Sequence, residues 1–333
     1  IQSKQNLIIT RTPFRISFVG GGSDLESFYS QSAGAVLSTT INKYMYISSH
    51  KYFEEDKLRV KYSKTETVDS IEDLQHPILK VALKDFGLKG GLELSSIADV
   101  PAGTGMGSSS SFTVGLLNNL SAITSQYQSK ESLAAGACRI EIDLLKEPIG
   151  KQDQYAAAYG GLNVIEFNPD GSVNVEPIFL QKEVYSSLEE NLLMFYTGDQ
   201  RSASKILAEQ NKNNKQLDKV AALRQMVSLV YELRKALYDG NLDVFGKLLH
   251  ENWLLKRGLA SGVTNPMIDQ AYETALRNGA LGGKLLGAGG GGFLLFYCPK
   301  SAQKKLIESL KPLRLFDFKF EREGSKLIHF SDE

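Results

Sequence analysis

Apolar and polar positions alternate through Arg15-Ile16-Ser17-Phe18, and the pattern stops at Gly20-Gly21-Gly22, which predicts a strand ended by a glycine bend. Residues 36–49 (VLSTTINKYMYISS) and 57–63 (KLRVKYS) read as further strands, the second with Leu58, Val60 and Tyr62 on one face. Helical spacing appears in 76–87 and 130–146, each closed by Gly or Pro, and again in the short 153–161. A hairpin follows, with strands 162–167 and 173–179 joined through the turn sequence Asn168-Pro169-Asp170-Gly171. From 202 to about 278 the pattern is mainly helical, and 291–298, 302–311, 314–321 and 326–330 then read strand, helix, strand, strand. This order is α+β and lacks the βαβα alternation of a doubly wound sheet. The expected division runs through the strand segment 188–197 and gives domains of 1–190 and 191–333.

Composition narrows the classes without choosing among them. At 333 residues, 42% hydrophobic and 23% charged, the chain suits a globular protein of two medium domains. Lys plus Arg and Asp plus Glu number 38 each, so no charge excess points to nucleic acid or to an anionic membrane. Apolar runs such as FLLFYC fall far short of the ~18 residues of a membrane span, and IQSKQNLIITRT lacks the apolar region of a signal peptide. A cytoplasmic protein is expected. Cys138 and Cys298 stand alone in apolar surroundings and read as buried thiols, and the four histidines have no zinc spacing.

Three glycine-rich stretches carry the candidate chemistry. PAGTGMGSSSSF, 101–112, runs into the helical pattern of 112–123 and so delivers serines to a helix start, a place suited to phosphate. A flexible loop before a serine-capped helix is the alternative. No Walker-type P-loop is present. GAGGGG, 287–292, matches the dinucleotide fingerprint in letters, but follows the helical 265–280 and opens a strand, so a glycine hinge is the simpler reading. TPFRISFVGGGSD, 12–24, puts Arg15 on a strand and Asp24 just past the bend.

One carboxylate stands where an apolar residue belongs. On a helix drawn at about 100° per residue, Leu133, Ala134, Ala137, Cys138, Ile140, Leu144 and Leu145 form an arc, and Glu141 falls near its centre. A buried acid there needs a cation or a cluster of donors, either a plain Arg pair or a functional partner. Asp153, beside Lys151, opens the next helix as a cap or as a reactive group. Backbone donors, an oxygen set for a divalent metal, a cation and an acid together suit phosphoryl transfer.

PFRISFVGGGSD, PAGTGMGSSSSF and KLLGAGGGGF, in that order, resemble the superfamily of galactokinase, homoserine kinase, mevalonate kinase and phosphomevalonate kinase over the whole chain. GGGSD, IEIDLLKEPIGKQDQYAAAYGG and LLMFYTGDQRSASKIL are similar to its branch acting at the anomeric hydroxyl of sugars, the heptose 7-phosphate kinases nearest and L-fucose kinases beside them. The resemblance implies an N-terminal domain like ribosomal protein S5 domain 2, a ferredoxin-like C-terminal domain, and ATP and sugar phosphate in the cleft between them. It implies a heptose 1,7-bisphosphate product made on the way to nucleotide-activated heptose for bacterial surface polysaccharide. By the same resemblance Pro101, Gly103, Gly105, Met106, Gly107, Ser108, Ser109 and Ser110 would hold the ATP phosphates, and Ser109 with Glu141 would bind Mg²⁺, Ser108 and Ser110 being alternatives in the register. Asp153 would orient or deprotonate the hydroxyl, with Arg15 steadying transition-state charge. Gly21, Gly22, Ser23, Asp24, Gly287, Gly289 and Gly290 would line the sugar site, and Arg201 and Lys205 would meet its phosphate. Met106 replaces the leucine common in the second motif, and Leu25-Glu26 stands where a proline is expected. A monomer or homodimer is expected. An L-fucose kinase-like enzyme and a nucleotide-binding regulator without turnover are the rival readings.

Overall fold

The computed structural model describes residues 7–198 and 203–331. The first part runs β1 (Ile8–Val19), α1 (Glu26–Tyr29), β2 (Gly34–Lys51), β3 (Leu58–Lys61), β4 (Thr65–Val68), α2 (Pro77–Asp85) and β5 (Leu92–Ala98). It continues through α3 (Ser108–Ile123), α4 (Lys130–Cys138), α5 (Gln152–Tyr159), β6 (Leu162–Phe167), β7 (Val173–Pro177), α6 (Lys182–Glu190) and β8 (Leu192–Tyr196). Four helices follow, α7 (Ala203–Asn213), α8 (Leu217–Tyr238), α9 (Leu242–Arg257) and α10 (Pro266–Arg277). The chain ends with β9 (Gly282–Leu285), β10 (Phe293–Tyr297), α11 (Lys300–Ser309), β11 (Arg314–Phe316), β12 (Phe320–Glu321) and β13 (Lys326–Phe330).

Strand β2 is the trunk of the larger sheet. Its 34–39 half pairs with β6, its 45–51 half pairs with β5, and β1 runs antiparallel along most of its length. Positions Phe14, Ile16 and Phe18 of β1 are fully buried, as the alternating pattern requires, and the sheet packs against α3. That helix is buried on nearly every side, from Ser110 to Ile123, which explains its weak amphipathic pattern. A four-stranded sheet, β11-β8-β10-β9, forms the second layer system. Strands β12 and β13 return to pair with β2 and β1, so the two sheets do not separate at a single point in the sequence. Lys284 of β9 spans between the sheets, donating to the carbonyls of Ser17 at 2.6 Å and Phe18 at 3.2 Å just before the glycine bend. Both cysteines are free and buried. Among the described residues no helix is long and apolar enough to cross a membrane.

Two local readings are corrected. Residues 130–146 are not one α-helix, because α4 widens at Arg139–Leu144 into a π-turn. The apolar arc drawn with α-helical spacing therefore holds through Ile140 and Glu141 but fails at Leu144, which is 47% exposed. The second correction is at 287–292, which joins strand to strand, β9 intervening after α10. The short GGKL sequence of β9 gives little periodic signal; with a strand before it, the stretch still fails the dinucleotide geometry because it opens β10 and not a helix.

Candidate active site

Loop 101–107 leads into α3 with Gly107 as its N-cap at φ 72°, a left-handed conformation that suits glycine. The serines are thus not caps. They sit in the first turn, no side chain caps that turn, and the turn lines a cleft of about 370 Å³. Gly103, Gly105, Gly107, Ser108, Ser109 and Ser110 all line that cleft. Free N–H groups at the start of a 16-residue helix favour an anion. Pro101 and Met106 do not line it: Pro101 is exposed, whereas Met106 is buried and accepts from the Arg15 N–H at 3.2 Å, tying loop to strand.

Arg15 and Asp153 meet directly beneath this helix start. Arg15 Nε donates to Asp153 Oδ1 at 2.6 Å and Nη2 to Oδ2 at 2.9 Å, a bidentate pair, while Nη1 donates to the Gly105 carbonyl at 2.6 Å. The arginine side chain is 5% exposed and the aspartate 24%, so the carboxylate is the member open to the cleft. Asp153 is therefore more than a helix cap.

Glu141 is 1% exposed and has no arginine partner among the described residues. Ser109 Oγ donates to its Oε1 at 2.8 Å, and Ser110 Oγ and Gln154 Nε2 donate to Oε2 at 2.9 and 2.8 Å. Burial pushes its carboxyl up from the usual range, and these three donors pull it back. Ser110 is buried, whereas Ser109 is exposed in the cleft. A carboxylate beside two hydroxyls is a hard-oxygen donor set of the kind that suits Mg²⁺.

Asp24 is 3% exposed and lines the same cleft. Its Oδ1 accepts from the Gly22 N–H at 2.9 Å and from Gln152 Nε2 at 3.4 Å, and Oδ2 accepts from the Gln152 N–H at 3.3 Å. Burial pushes this carboxyl up, against the pull of the Gly22 N–H. Gly22 joins it in the cleft wall, and Gly21 lies against Gln152 and Lys256. Ser23 turns away: its Oγ, fully buried, donates to the Gly20 and Ala35 carbonyls.

The third glycine stretch divides. Gly287 and Ala288 line the cleft, while Gly289 and Gly290 pack on Val263. Arg201 lies outside the described residues. Lys205 is exposed on the first turn of α7, whose Ser204, Leu207 and Gln210 line the cleft instead. Gly287 interlocks with the phosphate loop, since a Cβ built on it would lie 2.4 Å from Gly105 Cα at φ 76°. Gly287→Ala is expected to lower the melting temperature by about 5 °C or more and activity with it, because backbone must move; a thermal melt and a rate assay check both.

Reasoning from sequence missed Lys256, Gln152, Gln154 and Gln210. For Lys256 a signal existed. Phe245, Leu249, Asn252, Trp253 and Lys256 form the buried stripe of α9, so the lysine is a charge on an apolar face, the same clue that singled out Glu141.

Known proteins resemble this chain at full length. Residues 74–161 match the GHMP kinases N terminal domain and residues 233–312 match GHMP kinases C terminal. A D-glycero-alpha-D-manno-heptose 7-phosphate kinase of Campylobacter jejuni is 30% identical, covering 96% of this chain and 98% of that protein. A bifunctional fucokinase/GDP-fucose pyrophosphorylase of Arabidopsis thaliana is 27% identical over 92% of this chain, which spans 31% of it. The crystal structure of a D-glycero-D-manno-heptose 1-phosphate kinase from Bacteroides thetaiotaomicron shares the fold, with a TM-score of 0.80 at 22% identity, covering 97% of this chain and 99% of that one.

Proposed function

The chain belongs to the GHMP kinases, and on that premise we propose that it is an ATP-dependent sugar kinase acting on the anomeric hydroxyl of D-glycero-D-manno-heptose 7-phosphate. The single observation that carries the chemistry is the Arg15–Asp153 pair set under the open start of α3, in one cleft with Ser109, whose hydroxyl bonds the buried Glu141 behind the cleft wall. Full-length kinship with a heptose 7-phosphate kinase supports the choice of sugar.

In this reading the N–H groups of Gly103 to Ser110 hold the ATP phosphates. The anomeric oxygen attacks the γ-phosphorus, forming one O–P bond while the bond to the β,γ-bridging oxygen breaks and ADP leaves with the electron pair. Asp153, open to the cleft, orients the hydroxyl and accepts its proton. Arg15, locked by Gly105 and Asp153, fixes that carboxylate and faces the charge that builds in the transition state. Asp24 accepts sugar hydroxyls. Ser109 and Glu141 would hold Mg²⁺, which when bound neutralises charge on the transferring phosphoryl oxygens. The product is the 1,7-bisphosphate, a precursor suited to nucleotide activation.

ATP consumption with Mg²⁺ on D-glycero-D-manno-heptose 7-phosphate, D-mannose, L-fucose and D-galactose, with NMR of the product, tests the assignment. Turnover on the heptose phosphate, giving a phosphate at C1, is the expected result. Turnover on L-fucose alone would keep the catalytic roles and replace the substrate; no turnover on any sugar would favour a nucleotide-binding regulator.

A further inference from the structure

The inner wall of the cleft holds a cation that the transfer step above does not use. Lys256 of α9 is 5% exposed and lines the cleft, and its ammonium makes no hydrogen bond or ion pair among the described residues. A point 3.6 Å from Lys256 Nζ, where a Cβ on Gly21 would lie, is also 3.6 Å from Ser17 Oγ and 3.7 Å from Gln152 Nε2, so three polar groups converge on it. Ser17 Oγ, Gln152 Oε1 and both polar atoms of Gln210 are buried without a protein partner among the described residues. Gln210, from α7, is 1% exposed, faces Gly22 and also lines the cleft.

A buried ammonium with no direct counter-charge destabilises a protein until something compensates it. The carboxylates nearby do not supply that contact: Asp24 is taken up by Gly22 and Gln152, and Asp153 by Arg15. Around Lys256 the Ser17 hydroxyl and the Gln210 amide N–H groups are donors without a partner among the described residues, and Gln152 Nε2 has a second N–H beyond the one given to Asp24, a donor set that an anion can use. Resting on the sugar-phosphate kinase reading, we propose that Lys256, with Gln210 and Gln152, binds the phosphate group that the sugar substrate carries and sets its preference over the unphosphorylated sugar. Lys256 thereby takes the role expected of Lys205, which lies exposed off the cleft wall.

The titration of Lys256 supports the same assignment. Burial pulls its pKa down from 10.5 to about 8, with Asp24 and Asp153 opposing and Arg15 reinforcing, and Lys284 lies close enough to repel it. Phosphate binding needs the protonated form, so KM for the sugar phosphate rises as pH passes upward through about 8, and KM for the free sugar does not follow it.

The test is steady-state kinetics of wild type, Lys256→Met and Gln210→Leu on heptose 7-phosphate and on the same heptose without phosphate. Wild type should prefer the phosphorylated sugar; if it does not, the sugar-phosphate reading itself fails before any variant is compared. Given that preference, Lys256→Met is expected to raise KM for the phosphorylated sugar by about 10- to 100-fold while KM for the free sugar stays within about threefold. Equal losses on both sugars, or none on either, would overturn the proposal. Gln210→Leu, which keeps the charged pair groups intact, should give the same selective loss to a smaller degree, and an unselective loss there would count against it even if Lys256→Met does not fold.

Discussion

Asp153→Asn lowers kcat by about 10²- to 10⁴-fold, the range a positioned proton acceptor contributes, while KM for ATP stays within about threefold of wild type. The asymmetry follows from where the side chain sits. Asp153 touches Arg15 and lies 3.1 Å from the position of a Gly107 Cβ, at the mouth of the helix start but outside the loop that lines the phosphate side. An asparagine keeps one oxygen for Arg15, and Arg15 keeps its bond to the Gly105 carbonyl, so the loop is still anchored. What is lost is the negative charge that meets the hydroxyl proton. Steady-state rates, with a thermal melt to show that the fold persists, decide the matter. An unchanged kcat would take Asp153 out of the mechanism, and an ATP KM that rises with the loss of kcat would mean that the pair supports the phosphate loop instead.

How far the site could be read beforehand depends on whether a residue's signal is local. Glu141 was legible because an acid on an apolar arc is an anomaly within one helix, and it is 1% exposed with three donors around it. Lys256 carries the same anomaly on α9, a charge on the buried stripe of Phe245, Leu249, Asn252 and Trp253, but it stands in the last turn, where a lysine is also an ordinary partner of the helix C-terminus. Arg15 and Asp153 are 138 positions apart, and no periodicity in either segment brings them together; only the family resemblance did. Strand β5, with its half-exposed LELSSIA pattern, and the short β9 escaped because their stability comes from partners in the sheet more than from their own sequence. The π-turn at Arg139–Leu144 is a further case. It changes the angular period within a segment whose letters give no break, and so leaves Glu141 buried while turning Leu144 outward.

Glu141→Gln is expected to raise the Mg²⁺ concentration giving half-maximal rate by at least about 10- to 100-fold, the loss seen when even an outer partner of a metal is removed. The substitution keeps size and burial but replaces one acceptor oxygen by an NH₂. If that nitrogen takes the Oε2 place, it faces two donors, Ser110 Oγ and Gln154 Nε2, so the hydroxyl and the amide must turn. Stability moves the opposite way to activity. The carboxyl of Glu141 is pushed up in the folded protein, so the folded chain holds the proton more tightly than the open chain does, and stability falls as pH rises from the unfolded value near 4.5 through the raised folded value, staying at that lower level above it. A neutral side chain removes that loss. Without Mg²⁺, Glu141→Gln should therefore melt no lower than wild type at pH 7, whereas adding a fixed amount of Mg²⁺ to the nucleotide-bound proteins should raise the melting temperature of wild type more than that of the variant. A variant that melts well below wild type, and still responds to Mg²⁺ as wild type does, would identify Glu141 as a support for the serines of α3 with no part in holding the metal.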